Sequence, residues 1–332
     1  MTGQTQIPGR DKVIACPYCA SQALEPLYRE VRDRLGVSNE TWNWQACRDC
    51  GAGVLSPRPK AEALPHFYPQ HYSFEPTLKR GWLSTLETRL FYLPEAKART
   101  DVVRALFRDH AGREAQTLLE VGCGSGTGLP YYANAGIQVE AVDFDERKVA
   151  YVRDTWNVPA LQASADALPS SYPLESFDII VAFHLLEHMP DPLAVLAYWR
   201  EFLAPGGCVI VGVPMADSIA ARIFGRRWAC VTEAPRHLTL PTRAGLEAAF
   251  TRAGYADFTL RADNALSSAA DMTLSLMPAA THAKQSSSSA LLRVVKRAAS
   301  MVIMLMCLPL ASLFAGMKRP VYACACAFKP AE

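Results

Sequence analysis

Between positions 117 and 213, short apolar runs alternate with amphipathic stretches. The runs at 117–121, 138–142, 158–162, 177–183 and 208–213 are short and bounded by turn residues, so they predict buried strands. The stretches near 129–135, 146–156 and 192–203 carry apolar residues at helical spacing, the last with Pro192 in its first turn. Such alternation predicts an α/β fold with a parallel, doubly wound sheet and ligands at the carboxyl ends of its strands. The sharpest break is at 117–128, where Thr117-Leu118-Leu119-Glu120-Val121 runs into Gly122-Cys123-Gly124-Ser125-Gly126. A buried strand turning through glycines into a helix lets backbone approach a ligand closely.

The flanks read differently. Residues 77–110 carry apolar positions at helical spacing, and Pro94 predicts a division into two helices. Five prolines between 57 and 76 exclude long helices there, and the aromatics Tyr68, His71 and Tyr72 suggest either a lid touching ligand or simple packing. After 242, a helix capped by Thr242 and stopped by Gly254 leads to a strand at 258–261. A serine run at 286–289 predicts flexibility. Residues 298–317 are then free of charge, with Arg293, Lys296 and Arg297 before them and Lys318 and Arg319 after.

Composition narrows the picture. The chain has 332 residues, half of them hydrophobic, enough for one large domain with a satellite. A net charge of +2 gives no bulk attraction to nucleic acid. The polar amino terminus lacks a signal-peptide core, which points to a reducing, cytoplasmic setting. Of ten cysteines, four form two CxxC pairs, Cys16/Cys19 and Cys47/Cys50. Two such turns can close a tetrahedron of thiolates around Zn²⁺, with no open position, so a structural metal is predicted.

The segment 118–126, Asp143, Ala165-Asp166-Ala167-Leu168-Pro169, Phe177-Asp178, Leu186-Glu187-His188 and Pro205-Gly206-Gly207 resembles the S-adenosylmethionine-dependent class I methyltransferases. Pro235-Arg236-His237-Leu238 points to the type 23 branch, and the cysteine leader with Ser56-Pro57-Arg58-Pro59 is similar to a zinc ribbon found on some of them. The resemblance implies a Rossmann-like, mainly parallel seven-stranded sheet whose last strand, near 321–328, inserts antiparallel. It implies four regions: a zinc ribbon at 1–60, an aromatic linker and helical cap at 61–112, a core at 113–262 plus 320–330, and a flexible segment with an apolar helix at 263–319. It further implies that Glu120, Gly122, Cys123, Gly124 and Gly126 meet the amino-acid end of S-adenosylmethionine. Asp143 and Phe144 would meet the ribose, Asp166 and Ala167 the adenine, and Phe183 and His184 would complete the cofactor site. A nicotinamide cofactor would prefer GxGxxG, whereas this loop is GxGxG.

Methyl transfer needs alignment, and a base only where the acceptor must lose a proton. His188 and His237 are the candidate catalytic residues, and Tyr72, Arg236 and His237 the candidate acceptor contacts. Arg236 could grip an anion or instead fold its loop through salt bridges. The acceptor expected first is a lipid-linked or surface-glycan precursor; the alternative is a small lipophilic, quinone-like metabolite, with RNA or a non-catalytic scaffold behind these. The uncharged stretch is long enough to span a bilayer, but a last strand returning to the sheet forbids a single crossing. An in-plane or re-entrant membrane-contacting helix, bent at Pro309, with basic flanks on anionic lipid, is therefore predicted, with the enzyme peripheral to the inner membrane face.

Overall fold

The computed structural model describes residues 9–68, 88–277 and 290–331. Tyr72, His71, the first part of the predicted cap (77–87) and the serine run at 286–289 lie outside the described residues. The amino-terminal part contains β1 (Arg10–Asp11), β2 (Leu24–Arg32), β3 (Thr41–Cys47), β4 (Gly53–Leu55) and β5 (Arg58–Pro59). Helix α1 (Leu93–Ala111) leads into β6 (Thr117–Val121), α2 (Leu129–Asn134), β7 (Gln138–Asp143), α3 (Glu146–Trp156), β8 (Ala160–Gln162) and β9 (Phe177–Phe183). Then follow α4 (Pro192–Phe202), β10 (Leu203–Pro214), α5 (Ile219–Phe224), β11 (Thr239–Leu240), α6 (Arg243–Arg252), β12 (Ala256–Ala262), α7 (Ala265–Leu276), α8 (Ala290–Gly316) and β13 (Tyr322–Phe328).

The central sheet has seven strands in the order β12-β13-β10-β9-β6-β7-β8. β13 runs antiparallel to both neighbours, while β10, β9, β6, β7 and β8 are parallel. Both faces are apolar, which is why the strands read as continuous hydrophobic runs. Leu119, Ile180 and Val209 face one core cluster, while Leu118, Ile179 and Ile210 face the other. In β13 the alternation is Ala323, Ala325 and Ala327 against Cys324, Cys326 and Phe328. β6 neighbours β9 on one side and β7 on the other, so chain order reverses there and a crevice opens at the strands' carboxyl ends.

Pro94 lies in the first turn of α1, where a π-helical turn at Thr88–Tyr92 gives way to α-helix; most of the helix expected before it falls outside the described residues. One local expectation changes. Pro205-Gly206-Gly207, read as a turn before a strand, lies inside β10 as an irregularity. Pairing there jumps from Leu203↔Phe177 to Cys208↔Ile179.

A second sheet, ordered β11-β4-β3-β2, ties the amino-terminal region to the core. Its fourth strand is Thr239–Leu240, from the loop after β10. The fastening is Arg236, whose side chain is wholly enclosed. It forks onto Asp33, donates through Nε to Glu233 Oε1 at 2.9 Å and reaches the Phe67 carbonyl at 3.0 Å. Arg34 pairs with the other oxygen of Glu233. Of the two roles open to Arg236, the structure therefore takes the loop-folding one, and a grip on an anionic acceptor is ruled out by enclosure. Arg236→Met would leave the buried Asp33 carboxylate without its cation and Glu233 with Arg34 alone, and the loss expected is about 3–5 kcal/mol. Arg236→Lys should recover only part, for want of a fork. Urea titration reads both, and an unchanged midpoint in Arg236→Met would refute the assignment.

Candidate functional site

β6 carries its acid to the crevice. Glu120 is 8% exposed, and its Oε2 has no hydrogen-bond partner among the described residues. Burial pushes its carboxyl up to about 8, with Arg99 pulling it back and Asp143 adding to the rise. The glycine loop is held to β7 by Gly122 and Cys123, whose N–H groups donate to the Val142 carbonyl at 2.8 and 3.1 Å. Gly122, Gly124 and Gly126 all have positive φ. A Cβ at Gly126 would stand 2.8 Å from both Leu129 and Val152, so that glycine is required by packing. A Cβ at Gly124 would meet nothing within 4 Å, so the loop presents bare backbone to open space. An orphaned buried carboxylate beside such a cradle fits a ligand carrying a positive amino group.

Asp143 ends β7 and is 2% exposed. Its oxygens accept from Gly124 N at 3.0 Å, Asp145 N at 3.0 Å and Lys148 Nζ at 3.2 Å. Lys148 was not singled out in the sequence, although its place in the first turn of α3, five residues after Asp143, is a readable signal. Phe144 is 61% exposed at the crevice edge. Asp166 and Ala167 are exposed after β8, with Ser164 Oγ donating to the Asp166 carboxylate. Phe183 and His184 end β9; the His184 N–H donates to the Gly212 carbonyl at 2.9 Å. Thus the predicted cofactor residues line the carboxyl edges of β6, β7, β8 and β9. Arg99 of α1 joins them unannounced. Its guanidinium lies 4.5 Å from the Phe183 ring centroid and pairs with Asp263 at 2.9 Å and Glu95 at 3.1 Å. Asp263 is 164 positions away, so no local pattern could reveal the pair.

Beyond His184 lies a cavity of about 350 Å³, lined among others by His184, His188, His237, Cys230, Asp271 and Tyr322. His188 Nδ1 lies 3.0 Å from the Arg236 carbonyl and 3.1 Å from Tyr68 Oη. His237 Nδ1 lies 3.0 Å from the Cys230 carbonyl, and the two imidazole centroids are 4.7 Å apart. Burial holds both imidazoles below their ordinary range, His237 down to about 3, so both are neutral near pH 7. Asp271 is also buried, accepting from Trp228 Nε1 at 2.7 Å. His188 and His237 are therefore brought together, while Arg236 stands behind them and contributes only its carbonyl.

The four paired cysteines also converge. Their sulfurs all lie within 4.8 Å of one another, with Cys16–Cys50 at 3.6 Å and Cys19–Cys47 at 3.5 Å. Sulfurs around one tetrahedral Zn²⁺ stand roughly 3.8 Å apart, given bonds of about 2.3 Å. The donor set and spacing fit a closed, four-thiolate metal site. Tyr18 and Thr242 lock it to the core, Tyr18 Oη at 2.8 Å from Thr239 Oγ1 and Thr242 Oγ1 donating to the Cys50 carbonyl.

Glu120 yields a signed prediction. Between the ordinary value of 4.5 and about 8, the folded chain holds a proton there that the unfolded chain has released. Its contribution to stability is full below the lower value and is lost as pH rises toward the upper one. Glu120→Gln should flatten that decline in urea titrations across the interval; an identical slope in both proteins would disprove it.

Comparisons with known proteins agree with this geometry. A family model described as a methyltransferase domain, type 23, matches residues 89–260. A probable S-adenosylmethionine-dependent methyltransferase of Mycobacterium tuberculosis H37Rv is 37% identical over 101 residues, 30% of this chain and 36% of the relative. A ubiquinone biosynthesis O-methyltransferase of Methylococcus capsulatus is 36% identical over 104 residues, 30% of this chain and 42% of the relative. The chain thus spans less than half the length of these curated relatives. A solved SAM-dependent methyltransferase from Archaeoglobus fulgidus is similar over 72% of this chain and 99% of that one, at 17% identity and a TM-score of 0.44. With its family model matching just over half of its residues, the chain belongs to the type 23 methyltransferase-domain family.

Proposed function

We propose that this chain transfers a methyl group from S-adenosylmethionine to a small lipophilic, quinone-like acceptor at a membrane surface. The observation that carries methyl transfer is the orphaned Glu120 carboxylate beside the open Gly124 backbone. Glu120 would take the cofactor's ammonium, with Gly122, Cys123, Gly124 and Gly126 beneath the amino-acid end. Asp143 and Phe144 would hold the ribose, Asp166 and Ala167 the adenine, and Phe183 and His184 the sulfonium end. When bound, the cofactor supplies an electrophilic methyl for in-line displacement, which the site promotes chiefly by alignment. His188 and His237, neutral and facing the cavity, would receive the acceptor. The four cysteines would hold a structural Zn²⁺ that stiffens the sheet bracing this cavity.

The acceptor class is supported from two sides. Several relatives are named ubiquinone biosynthesis O-methyltransferases, which favours a quinone-like molecule over the lipid-linked glycan expected first. The second support is α8. Its Cys307, Ala311 and Phe314 are buried, while Val295, Val302, Leu305, Met306, Leu310 and Leu313 are exposed. At 3.6 residues per turn these six fall within about 140° of arc, opposite the buried face. Lys296, Arg297, Lys318 and Arg319 flank the exposed stripe. An apolar face with basic ends is the pattern of a helix lying in an anionic membrane surface.

Two measurements test this reading. Release of S-adenosylhomocysteine should be seen with a demethylated hydroquinone and not with a lipid-linked sugar; the reverse preference would restore the glycan reading. Sedimentation with vesicles should be stronger for anionic than for neutral lipid. The double change Leu305→Asp and Leu313→Asp should reduce it by about 10-fold or more, at several tenths to over 1 kcal/mol per residue, while leaving S-adenosylhomocysteine binding intact. Vesicle binding unaffected by that variant would exclude α8 as the contact.

A further inference from the structure

We infer that Glu187, His188 and His237 form a second metal site, distinct from the four cysteines, which takes a divalent first-row transition-metal ion at the wall of the cavity. One ligand atom from each of the three residues lies within 4.8 Å of the others. Such atoms around one ion stand roughly 3–3.5 Å apart, given bonds of about 2.0–2.2 Å. Closure of up to roughly 1.5 Å, within reach of side-chain rotation, would bring them to that spacing.

The hydrogen bonds behind the ligands favour this use. His188 Nδ1 is 3.0 Å from the Arg236 carbonyl, and His237 Nδ1 is 3.0 Å from the Cys230 carbonyl. A carbonyl only accepts, so each Nδ1 carries the proton and each Nε2 keeps its lone pair. Metal-binding imidazoles are oriented in this way, through a carbonyl or carboxylate on the far nitrogen. The Glu187 backbone is fixed as well, since its carbonyl accepts from Leu238 N at 2.9 Å.

The carboxylate supplies the need for a cation. Glu187 has no exposed surface, and neither oxygen has a hydrogen-bond partner among the described residues. The ring nitrogens facing it, His184 Nδ1 and His237 Nε2, stop at 3.8 and 4.0 Å from Oε1. A buried carboxylate left unpaired is costly, and a metal ion between the three groups removes that cost. Two imidazoles and one carboxylate suit Zn²⁺, Mn²⁺, Fe²⁺ or Co²⁺ better than the oxygen-seeking Mg²⁺ or Ca²⁺. Three protein ligands beside a cavity leave coordination positions open, unlike the closed cysteine site. The ion's chemical use, making an acceptor hydroxyl easier to ionise, rests on the methyl-transfer reading above; its presence does not.

The test counts metal rather than turnover, so its outcome and that of the methyltransferase assay are separable. The full chain is stripped with chelator and titrated with Zn²⁺ alone, then repeated with Co²⁺, whose thiolate-bound and imidazole-bound spectra differ. Two equivalents are expected, one with a thiolate signature and one without. Glu187→Gln, which keeps the shape of the side chain, and His237→Gln should each weaken the second equivalent by about 100-fold or more and spare the first. A single equivalent in the wild type overturns the proposal whatever the variants do. So does a second equivalent whose affinity is unchanged in both variants.

Discussion

The buried guanidinium of Arg236 is the interaction on which the site depends. Its fork meets Asp33 of the amino-terminal sheet, its Nε meets Glu233 of its own loop, and its carbonyl orients His188. One residue later, His237 enters the cavity wall, and two residues after that the chain becomes β11, the fourth strand of the small sheet. The loop from 228 to 242 is thus stitched at one end to the cysteine cluster, through Thr242 and Cys50, and in the middle to Asp33. A buried ion pair is weak evidence of net stability, but removing one partner is costly because the other charge is left buried. The amino-terminal region therefore contributes to the wall of the cavity, where Arg34 is one of the lining residues.

The two ends of the crevice solve charge differently. At the glycine loop, Glu120 keeps its proton up to about 8, so an incoming ammonium must ionise it and gains most where pH approaches that value. Asp143, a few ångströms along, is already balanced by Lys148 at 3.2 Å. At the cavity, the acid Glu187 is enclosed beside His184, His188 and His237, with no lysine or arginine paired to it among the described residues. Arg99 stands between these ends, shared by two carboxylates, Asp263 and Glu95. Among the described residues, Glu120 and Glu187 carry buried carboxylate oxygens with no hydrogen-bond partner.

Much of this was legible because the signals are local. Strand and helix periods marked the sheet, which has the seven strands and the antiparallel last strand that the resemblance implied. Glycine spacing marked the cradle, and the CxxC pairs marked the thiol cluster, because each motif closes within one turn. What escaped depends on pairs distant in sequence. Arg99 with Asp263, Arg236 with Asp33 and His237 with Glu187 join elements separated by 164, 203 and 50 positions. An arginine reads the same in sequence whether it meets a substrate or a buried carboxylate, so Arg236 could be narrowed to two roles and no further.

The placement of α8 follows from its successor. Among the described residues it is the one helix long and apolar enough to cross a bilayer, with a mean hydropathy of 2.2 over Val295–Gly316. Yet β13 follows within a few residues and lies inside the sheet between β10 and β12, antiparallel to both. Arg319, just past the helix, reaches the Asp217 carbonyl at 3.2 Å, and Met215 N donates to the Val321 carbonyl at 2.9 Å. The carboxyl end of the helix is therefore anchored on the core, and Cys307, Ala311 and Phe314 share an apolar cluster with Ala269 and Met272 of α7. The carboxyl half of the helix is packed on the core, so a crossing that carried β13 to the far side of a membrane would pull that strand out of the sheet. Because α7 also supplies Asp271 and Leu274 to the cavity, the wall of that cavity and the support of the exposed apolar stripe are the same helix. A lipid-soluble acceptor leaving the membrane at α8 would have one helix to pass before reaching His188 and His237.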